Sequence, residues 1–379
     1  MAIEIRQHAP GKDIKDFLRA GQEVFRFDPA WVPPLDMEIG ERLSPKHNPF
    51  FKRGEAMLFT AHKDGQVVGR ISASIDKEHQ RLWKDERGFF GFFDTIDDEE
   101  VAKALAAAAE KWLKGRGVKR VWGPFSLYAN EEIGMLVEGF EHPPMLSMAH
   151  SRPYQGKLAE ACGFEKEKDL LCWKYSDEME FNARTMKAWE SVKALPEVRL
   201  RGIDMSRLAQ DMADLVEVYN DAWAGKWAFV PIMQDEVDKM VKDLKMILDP
   251  DIAFVAEVNG KVAGVCIMIP NLNEVIQDFG GKLFPINWAK MLWRIKVKRP
   301  KTTRLMLLGL NHQVRANMKR YGGLSAAMYV EVAKRGKAKG YKWCEMSWTR
   351  EDDAPINLGI KSMGAQVYKK YRVYKKELA

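Results

Sequence analysis

Glu345 is a lone carboxylate inside the apolar run Trp343-Cys344-Glu345-Met346. Buried in a strand, its charged form would be disfavoured and its pKa raised towards the range where a general base works. Facing outward, it would be an ordinary strand residue. His312 follows a second apolar run, Thr303 to Leu310, and could take a proton, touch a phosphate or simply sit in a loop. Just beyond comes Arg320-Tyr321-Gly322-Gly323-Leu324-Ser325, which opens an amphipathic pattern: Leu324, Met328, Val332 and Ala333 recur at helical spacing until Gly336. A strand–turn–helix junction leaves backbone N–H groups without intrahelical partners where the macrodipole is positive, which suits a pyrophosphate. The alternative is a glycine-relaxed turn before an ordinary helix. No Ser-His-Asp or Cys-His arrangement is legible, and no metal-ligand spacing, so no metal is expected.

The elements that position these residues can be read from pattern. The N-terminal half opens with a strand, Ile3 to Arg6, and a helix from Ile14 to Phe25. Two β-rich runs, Ala56 to Ala61 and Gln66 to Ile75, flank the hairpin signal Asp64-Gly65. A strand at Gly88 to Phe93 precedes Asp97-Asp98-Glu99-Glu100, which begins a helix to Lys114 with carboxylates well placed in its first turn. A strand at Val118 to Trp122, a helix ending before Gly163 and a strand at Leu170 to Tyr175 complete the half. The C-terminal half repeats the order: a strand at Val198 to Ile203, helices at Leu208 to Trp223 and Glu236 to Ile247, and a hairpin across Asn259-Gly260. The run Thr303 to Leu310, the glycine turn and its helix follow, then strands at Lys342 to Trp348 and Ala365 to Tyr374 around a helix from Pro355 to Ser362. Order repeated in this way argues for a duplicated domain, 1–176 and 197–379, joined by a charged, helix-prone linker at 177–196.

Bulk properties agree with two domains: 379 residues are many for one hydrophobic core. With 46% hydrophobic and 30% charged residues, the chain is neither disordered nor membrane-spanning. The N-terminus lacks a signal-peptide layout and the four cysteines have no CxxC spacing, so a cytoplasmic home is expected. Net charge is +7, and Lys290, Arg294, Lys296, Lys298, Arg299, Lys301 and Arg304 cluster among Trp288, Met291, Leu292 and Ile295. That stretch could be a basic amphipathic surface for a phosphate-bearing ligand, a carrier protein or a membrane face, or a solvated helix and loop. No RNA-binding signature is present, so nucleic acid is not expected as a partner.

With both halves in this order the chain resembles the GCN5-related N-acetyltransferase (GNAT) superfamily, as two such domains in tandem. The family's pyrophosphate motif, Gln/Arg-x-x-Gly-x-Gly/Ala, is met by Arg320, Gly323 and, with one departure, Ser325. The resemblance implies an α/β fold class, an α+β sandwich in which each domain is a mixed, mostly antiparallel sheet flanked by helices. It implies acetyl-CoA or another acyl-CoA at Leu310, Arg320, Tyr321, Gly322, Gly323, Leu324, Ser325 and Asp353 of the second domain. A β-bulge near Gly309 would admit the pantetheine arm, and a backbone N–H near Leu310 or Asn311 would face the oxyanion. Glu345 and His312 are the catalytic candidates. The acceptor would be the amine of a small molecule or peptide; the alternative is a non-catalytic protein that binds acyl-CoA or another small ligand. Enzymes that use aminoacyl-tRNA with two such domains are a third resemblance, with only the basic stretch in support. The family's acidic tyrosine is replaced by Ile360, and Tyr368, Tyr371 and Tyr374 are the nearby substitutes. The first half enters its long helix through four carboxylates and no glycine, which implies that it has lost cofactor binding and keeps a structural or substrate-binding role.

Overall fold

The computed structural model describes residues 2–378. The strands in chain order are β1 (Ile3–His8), β2 (Gly54–Lys63), β3 (Gln66–Asp76), β4 (Arg87–Thr95), β5 (Arg120–Gly123), β6 (Met135–Glu138), β7 (Glu165–Ser176), β8 (Val198–Gly202), β9 (Ala253–Val258), β10 (Lys261–Pro270), β11 (Thr302–Leu310), β12 (Trp343–Arg350) and β13 (Gln366–Glu377). The chain is a mixed α/β structure whose mostly antiparallel sheet is flanked by helices. Both expected hairpins form. Asp64-Gly65 and Asn259-Gly260 have positive φ at each residue, the two-residue turn that matches strand twist, and they join β2 to β3 and β9 to β10.

Packing divides the chain into two compact units. One holds the residues up to Leu170, Ile276–Met291 and those from Lys369 on; the other holds Leu171–Val275 and Leu292–Tyr368. These are not the contiguous halves 1–176 and 197–379 expected from element order. In the first unit the strands run β1-β2-β3-β4-β5 and then the end of β13, with β6 also on β13. Tyr374 pairs with Gly123 and Glu377 with Arg120, and buried Tyr374 and Leu378 sit in the first unit's core. In the second unit the order is β7-β12-β11-β10-β9-β8, and Trp173 of β7 belongs to that unit's core. The last strand of each half therefore finishes the other unit's sheet. Alternation along a strand fixes which face is apolar but not which sheet edge the strand completes, so the exchange is invisible to pattern.

The segment 177–196, expected as a linker, carries the helix Ala183–Lys193. Its buried Thr185 and Val192 face inward, and Trp189 donates from Nε1 to Glu331 at 3.0 Å, tying it to the helix Leu324–Ala338. That second helix buries Leu324, Ala327, Met328 and Val332 in the second unit's core; Leu324, Met328 and Val332 have the spacing expected from sequence, whereas Ala333 is only half-buried.

Candidate functional site

In the second unit β11 and β12 run parallel, but the ladder is short. It extends from Thr302↔Trp343 to Leu305↔Met346 and stops, while β11 continues to Leu310 and β12 to Arg350. The cause lies on the other edge of β11. Its antiparallel register with β10 slips between Ile267↔Leu307 and Met268↔Leu305, leaving Met306 as the extra residue of a bulge. The bulge is thus at Met306 and not at Gly309, where the sequence suggested it. Gly309 is in register with Val265, and its missing side chain has another reason: a Cβ there would lie 2.3 Å from Cζ3 of Trp223.

Backbone direction then sorts the oxyanion candidates. The Asn311 N–H donates to Ala263 O at 2.8 Å, so it is engaged. Amide directions alternate along an antiparallel ladder, so the Leu310 N–H points to the opposite edge, where β12 no longer pairs. Asn311 caps the short helix His312–Ala316 by accepting from Val314 N at 3.0 Å. His312 opens that helix with an exposed side chain, and its N–H donates to Asp221.

The glycine turn is more helical than its sequence implied. Met318–Tyr321 forms one turn, Gly322 and Gly323 keep right-handed helical angles, and the Leu324–Ala338 helix follows. Both glycines have packing reasons. A Cβ on Gly322 would meet Met318 O at 2.5 Å, and one on Gly323 would lie 3.3 Å from the Ala188 Cβ. Arg320 is half exposed and binds Glu197 Oε1 at 2.6 Å, with the Tyr321 hydroxyl 3.5 Å from the same oxygen. Ser325 is partly exposed in the first turn. No side chain caps that helix and no acidic residue lies in its first turn, so its positive end remains available to an anion. The surrounding sequence reinforces this, because residues 279–330 contain 11 Lys and Arg and no Asp or Glu.

Glu345 is fully buried and not an outward-facing strand residue. Its Oε1 accepts from Ser347 Oγ at 2.6 Å, its Oε2 accepts from the Tyr368 hydroxyl, and the buried Arg304 Nε lies 3.9 Å away while donating to Ser347 Oγ at 2.8 Å. The four residues form one buried polar network, with Arg304 and Glu345 directly opposite in the parallel ladder. Asp353 precedes the helix Ala354–Ser362 without capping it and sits 3.6 Å from Arg350. Ile360 is core, so no tyrosine acid occupies that position. Of the substitutes, Tyr368 joins Glu345, whereas Tyr371 donates to Ala149 O and Tyr374 is buried in the first unit.

Sequence reasoning missed an apolar cavity of about 30 Å³ lined by Met268, Leu305, Tyr329, Cys344, Met346 and Met363, among others. Leu305 and Met346 are the last β11–β12 pair, so this cavity reaches the end of the ladder. It is dry in character: burial pushes the Cys344 thiol up to about 12 and the Tyr329 phenol higher still. The only signal in the sequence was methionine at three strand or helix-end positions, which resembles ordinary core.

The first unit has the matching places and both are closed. Its parallel ladder runs from Arg87↔Arg120 to Phe89↔Trp122, after which Phe125 N donates to Phe90 O at 2.7 Å. A Cβ on Gly91 would lie 1.8 Å from Phe125 O, so the chain's own backbone fills the gap between the strands. At the helix Glu99–Lys114, Asp98 accepts from Glu100 N and Val101 N and pairs with Lys63 at 2.7 Å.

No family model matches this chain. Protein YghO of Escherichia coli is 36% identical over 376 residues, spanning 99% of this chain and 95% of that protein. The bacterial ceramide synthase of Caulobacter vibrioides is 38% identical over 373 residues, 97% and 95% of the two chains. Among solved structures, a tandem GNAT protein from the clavulanic acid biosynthesis pathway superposes with a TM-score of 0.60 at 11% identity, covering 100% of this chain and 99% of its own. A GCN5-related N-acetyltransferase from Sphaerobacter thermophilus gives 0.53 at 14% identity, with 99% and 96% coverage. The chain belongs to one family with these E. coli and C. vibrioides proteins, and it has the fold of GCN5-related N-acetyltransferases. Its tandem arrangement is that of the first structural neighbour. No helix among the described residues is long and apolar enough to cross a membrane.

Proposed function

We propose that the chain is an acyl-CoA-dependent N-acyltransferase that joins a long acyl group to the amine of a long-chain amino alcohol. The observation that carries this reading is the apolar cavity that reaches the end of the β11–β12 ladder, in the same unit as a helix N-terminus without a cap. The first-turn amides of the Leu324–Ala338 helix, with Ser325 among them, would hold the pyrophosphate. Arg320 would have to leave Glu197 to assist. The Leu310 N–H would face the thioester carbonyl and stabilise the charge that develops on it. The coenzyme A thioester supplies the activated acyl group. Its chain would enter beyond the Leu305–Met346 rung, and methionines can repack around it.

The acceptor amine must lose a proton. His312, exposed two residues beyond Leu310, is the candidate base. Glu345 is held by two hydroxyl donors beside Arg304, which fits an anion that positions Tyr368 better than one that shuttles protons. A ceramide is a fatty-acid amide of a long-chain amino alcohol, so the name of the C. vibrioides relative describes the same bond. The first unit, with its gap and helix end closed, would serve a structural or acceptor-binding role.

The test is thiol release by the purified chain across acyl-CoAs of two to sixteen carbons, each with a long-chain amino alcohol and with small amines. Release should require both long partners. Equal turnover of acetyl-CoA with a small amine would overturn the proposed substrate class. A second reading, a non-catalytic acyl-CoA-binding protein, is favoured by Ile360 standing in place of the tyrosine acid. Thermal stabilisation by acyl-CoA without thiol release from any pair would support it.

A further inference from the structure

The stretch Phe284–Arg299 has no place in the chemistry above, and its surface is unusual. Of the 18 large hydrophobic residues that are exposed among the described residues, six lie here: Phe284, Ile286, Trp288, Leu292, Trp293 and Val297. Ile286 is 75% exposed, Val297 65% and Trp293 55%, values that leave most of each side chain in water. The helix Asn287–Trp293 and the wider π-type turns of Arg294–Lys298 that continue it contain no buried residue. Short helices are normally held by the apolar face they bury, and this one only half-buries Met291 and Ile295.

Its charges are of one sign. No Asp or Glu occurs from residue 279 to 330. Lys290 pairs with Asp278 at 2.5 Å and Arg294 donates to Val275 O at 2.5 Å, which anchors the two ends. Lys296, Lys298 and Arg299 are exposed between and beside the apolar side chains. Exposed apolar groups one turn apart, as Trp293 and Val297 are, mark an interaction surface on a monomer. Tryptophans with aliphatic residues and interleaved cations fit the headgroup–acyl boundary of an anionic bilayer, where the rings lie at the interface and the lysines meet phosphate. A second copy of this chain would bring like charge against like charge.

We propose that the Phe284–Arg299 stretch docks the protein on anionic lipid bilayers by shallow insertion of Leu292, Trp293 and Val297. This docking does not depend on the N-acyltransferase reading, although it would bring a lipid acceptor to the enzyme's own surface.

The test is co-sedimentation of the full chain with phosphatidylcholine vesicles with and without 30% phosphatidylglycerol, at two salt concentrations. Wild-type protein should bind the anionic vesicles, with affinity falling as salt rises. L292S/W293S/V297S should bind at least tenfold more weakly at both salt concentrations. K296E/K298E should lose the preference for anionic vesicles. Both variants should keep the wild-type circular dichroism and melting temperature, because each altered side chain is exposed and none is part of a core. Absence of sedimentation with anionic vesicles, or undiminished binding by both variants, overturns the proposal. So does tighter binding to a single-stranded RNA oligomer than to vesicles, or a dimer in analytical ultracentrifugation that the triple variant abolishes.

Discussion

Ser325→Glu separates an anion site from an ordinary helix start. The Leu324–Ala338 helix has no acidic residue in its first turn and no side-chain cap, so a carboxylate there should suit the macrodipole and add about 0.3–1 kcal/mol to stability. A bound pyrophosphate at the same end would lie within about one helical pitch, ~5.4 Å, of the new carboxylate. At an effective dielectric constant of about 20, two unit negative charges at that separation repel by about 3 kcal/mol. Acyl-CoA affinity should therefore fall on the order of a hundredfold, less at high salt, while the melting temperature holds or rises. Ser325→Gln, of similar size without the charge, should lose far less. The assay is calorimetric titration with a long-chain acyl-CoA for the three proteins. Affinity within threefold of wild type in Ser325→Glu would refute the placement of the cofactor at this helix. The first unit already carries that design, with Glu99 and Glu100 in its helix's first turn behind an Asp98 cap.

Two further outcomes follow from packing and burial. Gly309→Ala should cost about 1–3 kcal/mol in urea unfolding, since its Cβ would fall 2.3 Å from the Trp223 ring; adding Trp223→Leu should recover part of the loss, and no recovery would mean the contact is not the cause. His79 is fully buried among Phe89, Trp83 and Trp122, and burial, with Arg87 adding to it, pushes its pKa from 6.5 down to about 3. The unfolded chain takes this proton below pH 6.5 and the folded chain does not until about pH 3, so its contribution is intact above 6.5 and lost as pH falls through that window. Between pH 7 and pH 5 the loss from this residue is about 2 kcal/mol, and His79→Gln should flatten that part of the stability profile; an unchanged slope would exclude His79 as its source.

Features set by neighbours in the chain were determined by the sequence alone. Asp64-Gly65 and Asn259-Gly260 form their turns because those residues tolerate positive φ, and the helix that follows Asp98 starts there because its carboxylate caps the first N–H groups. The glycine turn before Leu324 and its contrast with the acidic start in the first half were likewise legible. What only the tertiary structure decided depends on register and on contacts through space. Nothing local could reveal that β13 completes the first unit's sheet, that the bulge sits at Met306 while Gly309 makes room for Trp223, or that Glu345 is shared by Ser347, Tyr368 and Arg304. The apolar cavity between Leu305, Met346 and the helix above them is of the same kind. Its lining comes from strands and helices far apart in the chain, and each of those residues taken singly has the pattern of ordinary core. Local propensity fixes the conformation of a segment, whereas a site is the meeting of several segments, and which of them meet is settled by the packing of the whole sheet.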